Sequence, residues 1–203
     1  MEKSDMAEKL GEKEVFSTRR FRVINARLKI RGKVVEKPYI RHNDCTEMLA
    51  VTGSGSILLI ESYRPEFDDY SYELPAGTLK DGENPKRAAE RELEEETGYA
   101  AKNVRYMFSG YPLLGYSSSR LHFFLVTGLR KKEQRLEDDE SISVKEFRPE
   151  EVLAMMESGE IKDLSVTSAM HYYMLLRKGK TARKGSPGLL CRGWFPTYFR
   201  LQG

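Results

Sequence analysis

Gly77-Thr78-Leu79-Lys80-Asp81-Gly82-Glu83, seven further residues, then Arg91-Glu92-Leu93-Glu94-Glu95-Glu96-Thr97-Gly98-Tyr99 is the stretch on which the reading of this chain turns. Asn84 is a favoured N-cap and Pro85 suits a first helical position, so a helix is predicted from Pro85 to Thr97, with Gly98 as its stop. Glu92, Glu94, Glu95 and Glu96 then crowd the helix C-terminus. The macrodipole disfavours negative charge there by roughly 0.3–1 kcal/mol per exposed group. The Glu92/Glu96 pair, at i and i+4, adds like-charge repulsion of roughly 0.2–0.5 kcal/mol, of which Arg91 offsets a part through Glu95. Each residue advances about 100°, so Glu92, Glu95 and Glu96 share one side of the helix. Three oxygen donors on one side suit Mg²⁺, a hard cation that keeps open positions for phosphate oxygens. Taken alone, the cluster reads equally well as an acidic face in solvent.

Outward from this helix the chain alternates strands and helices. Residues 1–12 read as a frayed, charged start. Glu14 to Ile40 reads as short antiparallel strands, with Arg31-Gly32-Lys33 as a hairpin turn. A second hairpin pairs Glu47–Val51 with Ser56–Glu61, whose continuously apolar arm suits a strand buried on both faces. Tyr63 to Tyr72 reads as a loop, followed by a short strand into Leu74-Pro75-Ala76-Gly77. Strands are expected at Val104–Phe108, Leu121–Thr127 and Ile142–Phe147, and helices at Pro149–Ser158 and Leu164–Lys178. The order implies an α/β sandwich with a mixed sheet and a small N-terminal antiparallel β lobe. The expected divisions are a lobe over 1–46, a main domain over 47–178 and an irregular tail over 179–203.

Composition narrows the class without choosing a function. The 203 residues carry 34 basic and 31 acidic side chains, a net charge of +3 that gives no field arguing for nucleic acid. No apolar run approaches the roughly 20 residues that span a bilayer, and the N-terminus lacks a signal-peptide core. Cytoplasmic residence and no membrane partner are the expectations. Cys45 and Cys191 read as unpaired thiols. His122, in an apolar strand, reads as a satisfied core residue, and His42 and His171 have no metal-site spacing.

The 23 residues Gly77–Tyr99 resemble the Nudix signature: a glycine, a distant glutamate, then Arg-Glu-apolar-x-Glu-Glu-x-Gly-apolar. Gly77, Glu83, Arg91, Glu92, Leu93, Glu95, Glu96, Gly98 and Tyr99 fill every defining position. The resemblance implies a Nudix-type α/β/α sandwich and a loop–helix–loop that holds divalent cations, Mg²⁺ with Mn²⁺ as a substitute, against a pyrophosphate. It implies Glu92 and Glu96 as principal metal ligands and Glu95 as a further ligand or water holder. Arg91 and Glu83 would brace the loop, and Gly77 and Gly98 would serve backbone geometry.

Upstream, Tyr63-Arg64-Pro65, seven residues, then Glu73-Leu74-Pro75-Ala76-Gly77 resembles the ADP-ribose and ADP-sugar pyrophosphatase branch. In that branch Arg64 would reach the substrate, Glu73 would hydrogen-bond to it or beside it, and the Ala76 carbonyl would be a metal ligand. Alone, Arg64 reads as half of a surface ion pair. The branch also implies a homodimer formed through the N-terminal lobe. Phe16 and Phe21 read as core, with stacking on an adenine as the other reading.

Many bacterial members carry a glutamate before the strand that corresponds to Leu121–Thr127, but here Tyr111–Arg120 holds no carboxylate. A general base must reach the water it activates, and Glu137-Asp138-Asp139-Glu140 is the nearest source. The segment resembles eukaryotic ADP-sugar pyrophosphatases, which place a catalytic glutamate at a loop–strand junction of this kind. Glu140 is the closest match to it, with Asp139 in reserve, and a solvated acidic loop is the alternative. The implied activity is hydrolysis of ADP-ribose or a related nucleoside diphosphate sugar to a nucleoside monophosphate and a sugar phosphate. Another nucleoside diphosphate derivative, or a regulatory module that binds nucleotides without cutting them, are the rivals.

Overall fold

The computed structural model describes residues 7–138 and 140–182, with side chains to Arg177. Two sheets carry the first 170 residues. In the smaller, β1 (Glu8–Ser17), β2 (Arg22–Ile30) and β3 (Lys33–Arg41) run antiparallel in that order. Arg31 and Gly32 join β2 to β3 with φ of 50° and 76°, the two positive values of a type I′ hairpin turn. The expected β lobe is present. It begins earlier than expected, however, because residues from Glu8 onward pair with β2 rather than fray.

The larger sheet runs β10 (Ile142–Phe147), β5 (Ile57–Arg64), β4 (Cys45–Val51), β9 (Leu121–Lys131), β8 (Tyr99–Gly110). β6 (Asp69–Glu73) adds to β5 and β7 (Ala76–Thr78) to β4. β4 and β9 are parallel and the other pairs antiparallel, which is the mixed order predicted. The expected loop from Tyr63 to Tyr72 is mostly strand. Tyr63 pairs with Tyr70 and Arg64 with Asp69, leaving only 65–68 as a turn. Alternation is hard to read there because Tyr63 and Tyr70 are exposed aromatics that pack edge-on, 5.7 Å apart, on the outer face.

α1 (Pro85–Thr97) has the predicted bounds. The Asn84 side chain accepts from the Lys86 amide, and Gly98 ends the helix at φ 67°, donating its N–H to the Glu94 carbonyl. Ala89 and Leu93 pack on Met48, Ala50, Leu58, Phe124 and Val126, alternate residues from one face of three strands. Ala88, Leu93, Glu96 and Thr97 are also buried, so the apolar stripe of α1 carries Glu96 down with it. α2 (Pro149–Ser158) packs near β10, and α3 begins at Leu164 and ends at Ala182. His171–Gly203 forms a second unit, in which the Arg177 guanidinium lies over the Tyr173 ring at 5.8 Å. The tail from 183, with Cys191, lies outside the described residues. Among the described residues no helix is long and apolar enough to cross a membrane.

Glu47, in β4, points to the face opposite α1 and is buried. Burial pushes its carboxyl well above the usual range, the Asp163 carboxylate adds to the shift, and a hydrogen bond with Ser165 opposes it. An acid whose folded pKa is raised favours the fold while protonated, so this contribution fades as pH rises above the ordinary value of 4.5. Glu47→Gln keeps the shape and removes the titration. Its stability in urea should therefore gain progressively on the parent protein as pH rises above about 4.5; a difference that does not change with pH would contradict this.

Candidate active site

Several segments line a cavity of about 1030 Å³. The end of α1 and the β7 loop supply Ala76, Gly77, Arg91, Glu92 and Glu96, and the end of β5 supplies Arg64. The loop before β10 supplies Glu137 and Glu140, and the β1–β2 turn closes the far side. Of the site residues expected from sequence, Arg64, Ala76, Glu92, Glu96 and Glu140 all line this space. Glu73 and Glu95 do not, and Asp139 lies outside the described residues.

Glu96 is the most constrained of them, at 6% exposure. One carboxylate oxygen accepts from the Ala76 amide at 2.8 Å, which ties the end of α1 to β7. Burial pushes its pKa up to about 9, against that hydrogen bond and with the Glu92 and Glu140 carboxylates adding to the rise. Glu92 is raised to about 7, again mainly by burial, with Arg91 opposing and Glu95 and Glu140 contributing. Glu140 is therefore close enough for its charge to be felt by both helix glutamates. Its own side chain accepts from the Glu137 amide at 2.9 Å, which closes the loop that carries it.

Arg91 reaches further than its sequence spacing suggests. Its Nη1 donates to Glu92 at 2.7 Å and to Glu95 at 2.9 Å, while Nε and Nη2 grip Glu83 at 3.1 and 3.0 Å. Glu83 in turn accepts from the Lys80 amide, so one guanidinium links the loop to the helix. Among the described residues no three acidic, histidine or cysteine side chains stand gathered as a ready cluster. Arg91 engages Glu92 and Glu95, and Glu96 turns to the Ala76 amide.

The donor chemistry nonetheless fits a divalent cation. Glu92 and Glu96 are hard oxygen donors, partly and almost fully buried, whose neutral forms are favoured by burial and by the charge of neighbouring carboxylates, Glu140 among them, a balance that a cation would reverse. Gly77 shows the space this takes: an added Cβ would lie 2.0 Å from the Glu92 carboxyl carbon. The expectation that Gly77 serves backbone geometry is corrected on this point. Glu92 lies over the β7 backbone at this point, so a side chain at position 77 would have to displace its carboxylate.

Arg64 and Glu73, read separately in the sequence, hold each other. Arg64 Nε donates to Glu73 at 2.7 Å and Nη2 donates to the second oxygen of the same carboxylate, a fixed fork on a residue that lines the cavity. Phe16 and Phe21 are exposed rather than core, because nothing among the described residues covers β1, whose residues are all exposed, or the turn that follows it; Phe21 lines the cavity. His122 bonds Asp44 at 3.0 Å, the satisfied role expected of it. Sequence reasoning missed the turn 18–22 and His42, Asn43 and Lys80 as lining residues. The signal available was the basic run Arg19-Arg20-Phe21-Arg22.

Residues 45–167 match the family described as the NUDIX domain. The chain is 35% identical to an ADP-ribose pyrophosphatase of Bacillus subtilis (strain 168), over 71% of this chain and 79% of that protein. It is 32% identical to a methanol dehydrogenase activator of Bacillus methanolicus over the same shares. A solved structure, the crystal structure of an ADP compounds hydrolase, is similar in fold with a TM-score of 0.72 at 20% identity, covering 86% of this chain and 95% of that one.

The raised carboxyls give a test of cation binding. Below about 7 and about 9 respectively, Glu92 and Glu96 hold protons that a divalent cation must displace. Apparent affinity for Mg²⁺ should rise between about pH 6 and about pH 8, by up to about tenfold per pH unit for each proton displaced. Calorimetry in buffers of different ionisation enthalpy should show proton uptake by the buffer, reduced in Glu96→Gln. Binding without proton release at neutral pH would contradict the assignment.

Proposed function

The chain belongs to the Nudix hydrolase family, and on that premise we propose that it hydrolyses the diphosphate of ADP-ribose or a related nucleoside diphosphate sugar. The products are a nucleoside monophosphate and a sugar phosphate. The observation that carries the reading is the meeting of Arg64, Glu92, Glu96 and Glu140, from three separate segments, on one cavity. Similarity to an ADP-ribose pyrophosphatase over most of both chains supports the choice of substrate class.

In this reading Glu92, Glu96 and the Ala76 carbonyl hold the cation, Mg²⁺ or Mn²⁺ in its place, with Glu95 as a further ligand or water holder. The bound ion supplies charge that offsets the developing negative charge on the phosphoryl oxygens. Arg64, oriented by Glu73, presents its free guanidinium edge to the diphosphate, and its permanent charge and planar fork suit phosphate oxygens. Glu140 takes the proton of the attacking water. Its loop is closed by the hydrogen bond to the Glu137 amide, and its carboxylate lines the same cavity as Glu92 and Glu96, within reach of a water held there. Arg91 and Glu83 hold the loop against the helix.

The same reading has the enzyme act in the cytoplasm as a homodimer built through the lobe of residues 1–46, with 47–178 as the hydrolase domain and 179–203 as a tail. Leu10, Val15, Phe16 and Val34 lie exposed on the lobe and support its use as an interface.

The direct test is to incubate the protein with Mg²⁺ and a panel of nucleoside diphosphate derivatives and identify the products. ADP-ribose should give AMP and ribose 5-phosphate, and Glu140→Gln should lower kcat by about 10²-fold or more with KM little changed. Absence of turnover across the panel would overturn the proposal. Turnover with an unchanged kcat in Glu140→Gln would remove Glu140 from the role of base.

A further inference from the structure

The far wall of the cavity holds positive charge that the mechanism above leaves unused. β1 and β2 are joined by a turn closed by the Thr18 amide donating to the Phe21 carbonyl at 2.9 Å. The Thr18 hydroxyl oxygen accepts from the amides of Arg20 at 3.2 Å and Phe21 at 3.0 Å. One threonine thus fixes the turn, puts Arg19 at its tip and starts β2 at Arg22. Both arginines line the cavity, and Lys80 lines it from the loop before α1.

These cations differ from the others around the same space. Arg64 is held by Glu73, Arg91 by three glutamates and Arg41 by Glu12. Arg22 meets only Glu14, at 3.9 Å, with both side chains about half exposed, a pairing that contributes little. Among the described residues Arg19 and Lys80 make no ion pair. Like charges gathered on one concave wall repel one another, and a cleft with low-dielectric walls focuses their field on whatever enters it. The diphosphate to be cut already has Arg64 and the helix-end cation site. The hairpin wall therefore has capacity for a second anion.

We propose that Arg19 and Arg22, with Lys80, bind an anionic group of the substrate other than the scissile diphosphate. The site would then select nucleoside diphosphate derivatives that carry an additional phosphate or carboxylate. The guanidinium fork suits either group. This rests on the hydrolytic reading of the same cavity. The extra anion could sit on the nucleoside or on the sugar arm, and the chemistry is shared.

Two matched pairs separate these sources: ADP-ribose against its 2′-phosphorylated form, and UDP-glucose against UDP-glucuronate. The full chain with Mg²⁺ should prefer the anionic member of at least one pair by about tenfold in kcat/KM, the size of one charge-assisted hydrogen bond. The pair that shows the preference names the arm. In the double variant Arg19→Ala, Arg22→Ala, with its unfolding midpoint measured alongside, the ratio should fall toward one. Ratios near one for both pairs in the parent protein, or a preference that survives the substitutions, would overturn this proposal while leaving the hydrolytic reading in place. No turnover of any of the four compounds would instead overturn the hydrolytic reading itself, and this one with it.

Discussion

The structure is organised by a carboxylate placed where an apolar residue belongs. Glu96 continues the buried stripe of Ala88, Ala89 and Leu93, so the packing that seats α1 on the sheet also drives that carboxyl out of water. Its compensation is the hydrogen bond from the Ala76 amide and the charge of Arg64. A carboxyl buried this far still favours protonation, and a helix C-terminus adds its own unfavourable dipole. In the proposed reading, a divalent cation bound there would turn both penalties into an attraction.

Two neighbours hold the acidic end of α1 together. Arg91 spreads one permanent charge over Glu83, Glu92 and Glu95, and so carries the loop 80–83 with the helix. Gly77 leaves the space into which Glu92 folds. Across the cavity, Glu73 fixes Arg64 in the same way, by a two-point grip on a planar group. In each case the residue that faces the cavity is positioned by a partner of opposite charge in its own neighbourhood. Such positioning reduces the reorganisation needed when substrate binds.

Much of this was legible in the sequence, for reasons that differ by element. The bounds of α1 follow from Asn84, Pro85 and Gly98, whose effects are local, and β10 and α2 were read to the residue for similar reasons. β6 was missed because exposed Tyr63 and Tyr70 mask the alternation that marks a strand. Aromatic residues such as Phe16 and Phe21 read as core, but the edge strand β1 and the turn after it are left uncovered. In the site, residues that act within one motif were readable, while pairs brought together by the fold were not. The grip of Arg64 on Glu73 depends on the β5–β6 pairing, and the turn at Thr18–Phe21 reaches the cavity only through tertiary packing. No spacing in the sequence reports either.

Crystals soaked in Mn²⁺ offer the most direct test, through anomalous scattering measured at the end of α1. The account predicts a peak within coordination distance, about 2.0–2.2 Å, of carboxylate oxygens of both Glu92 and Glu96. A map in which those oxygens stay with Arg91 and the Ala76 amide, with no anomalous peak beside them, would contradict it.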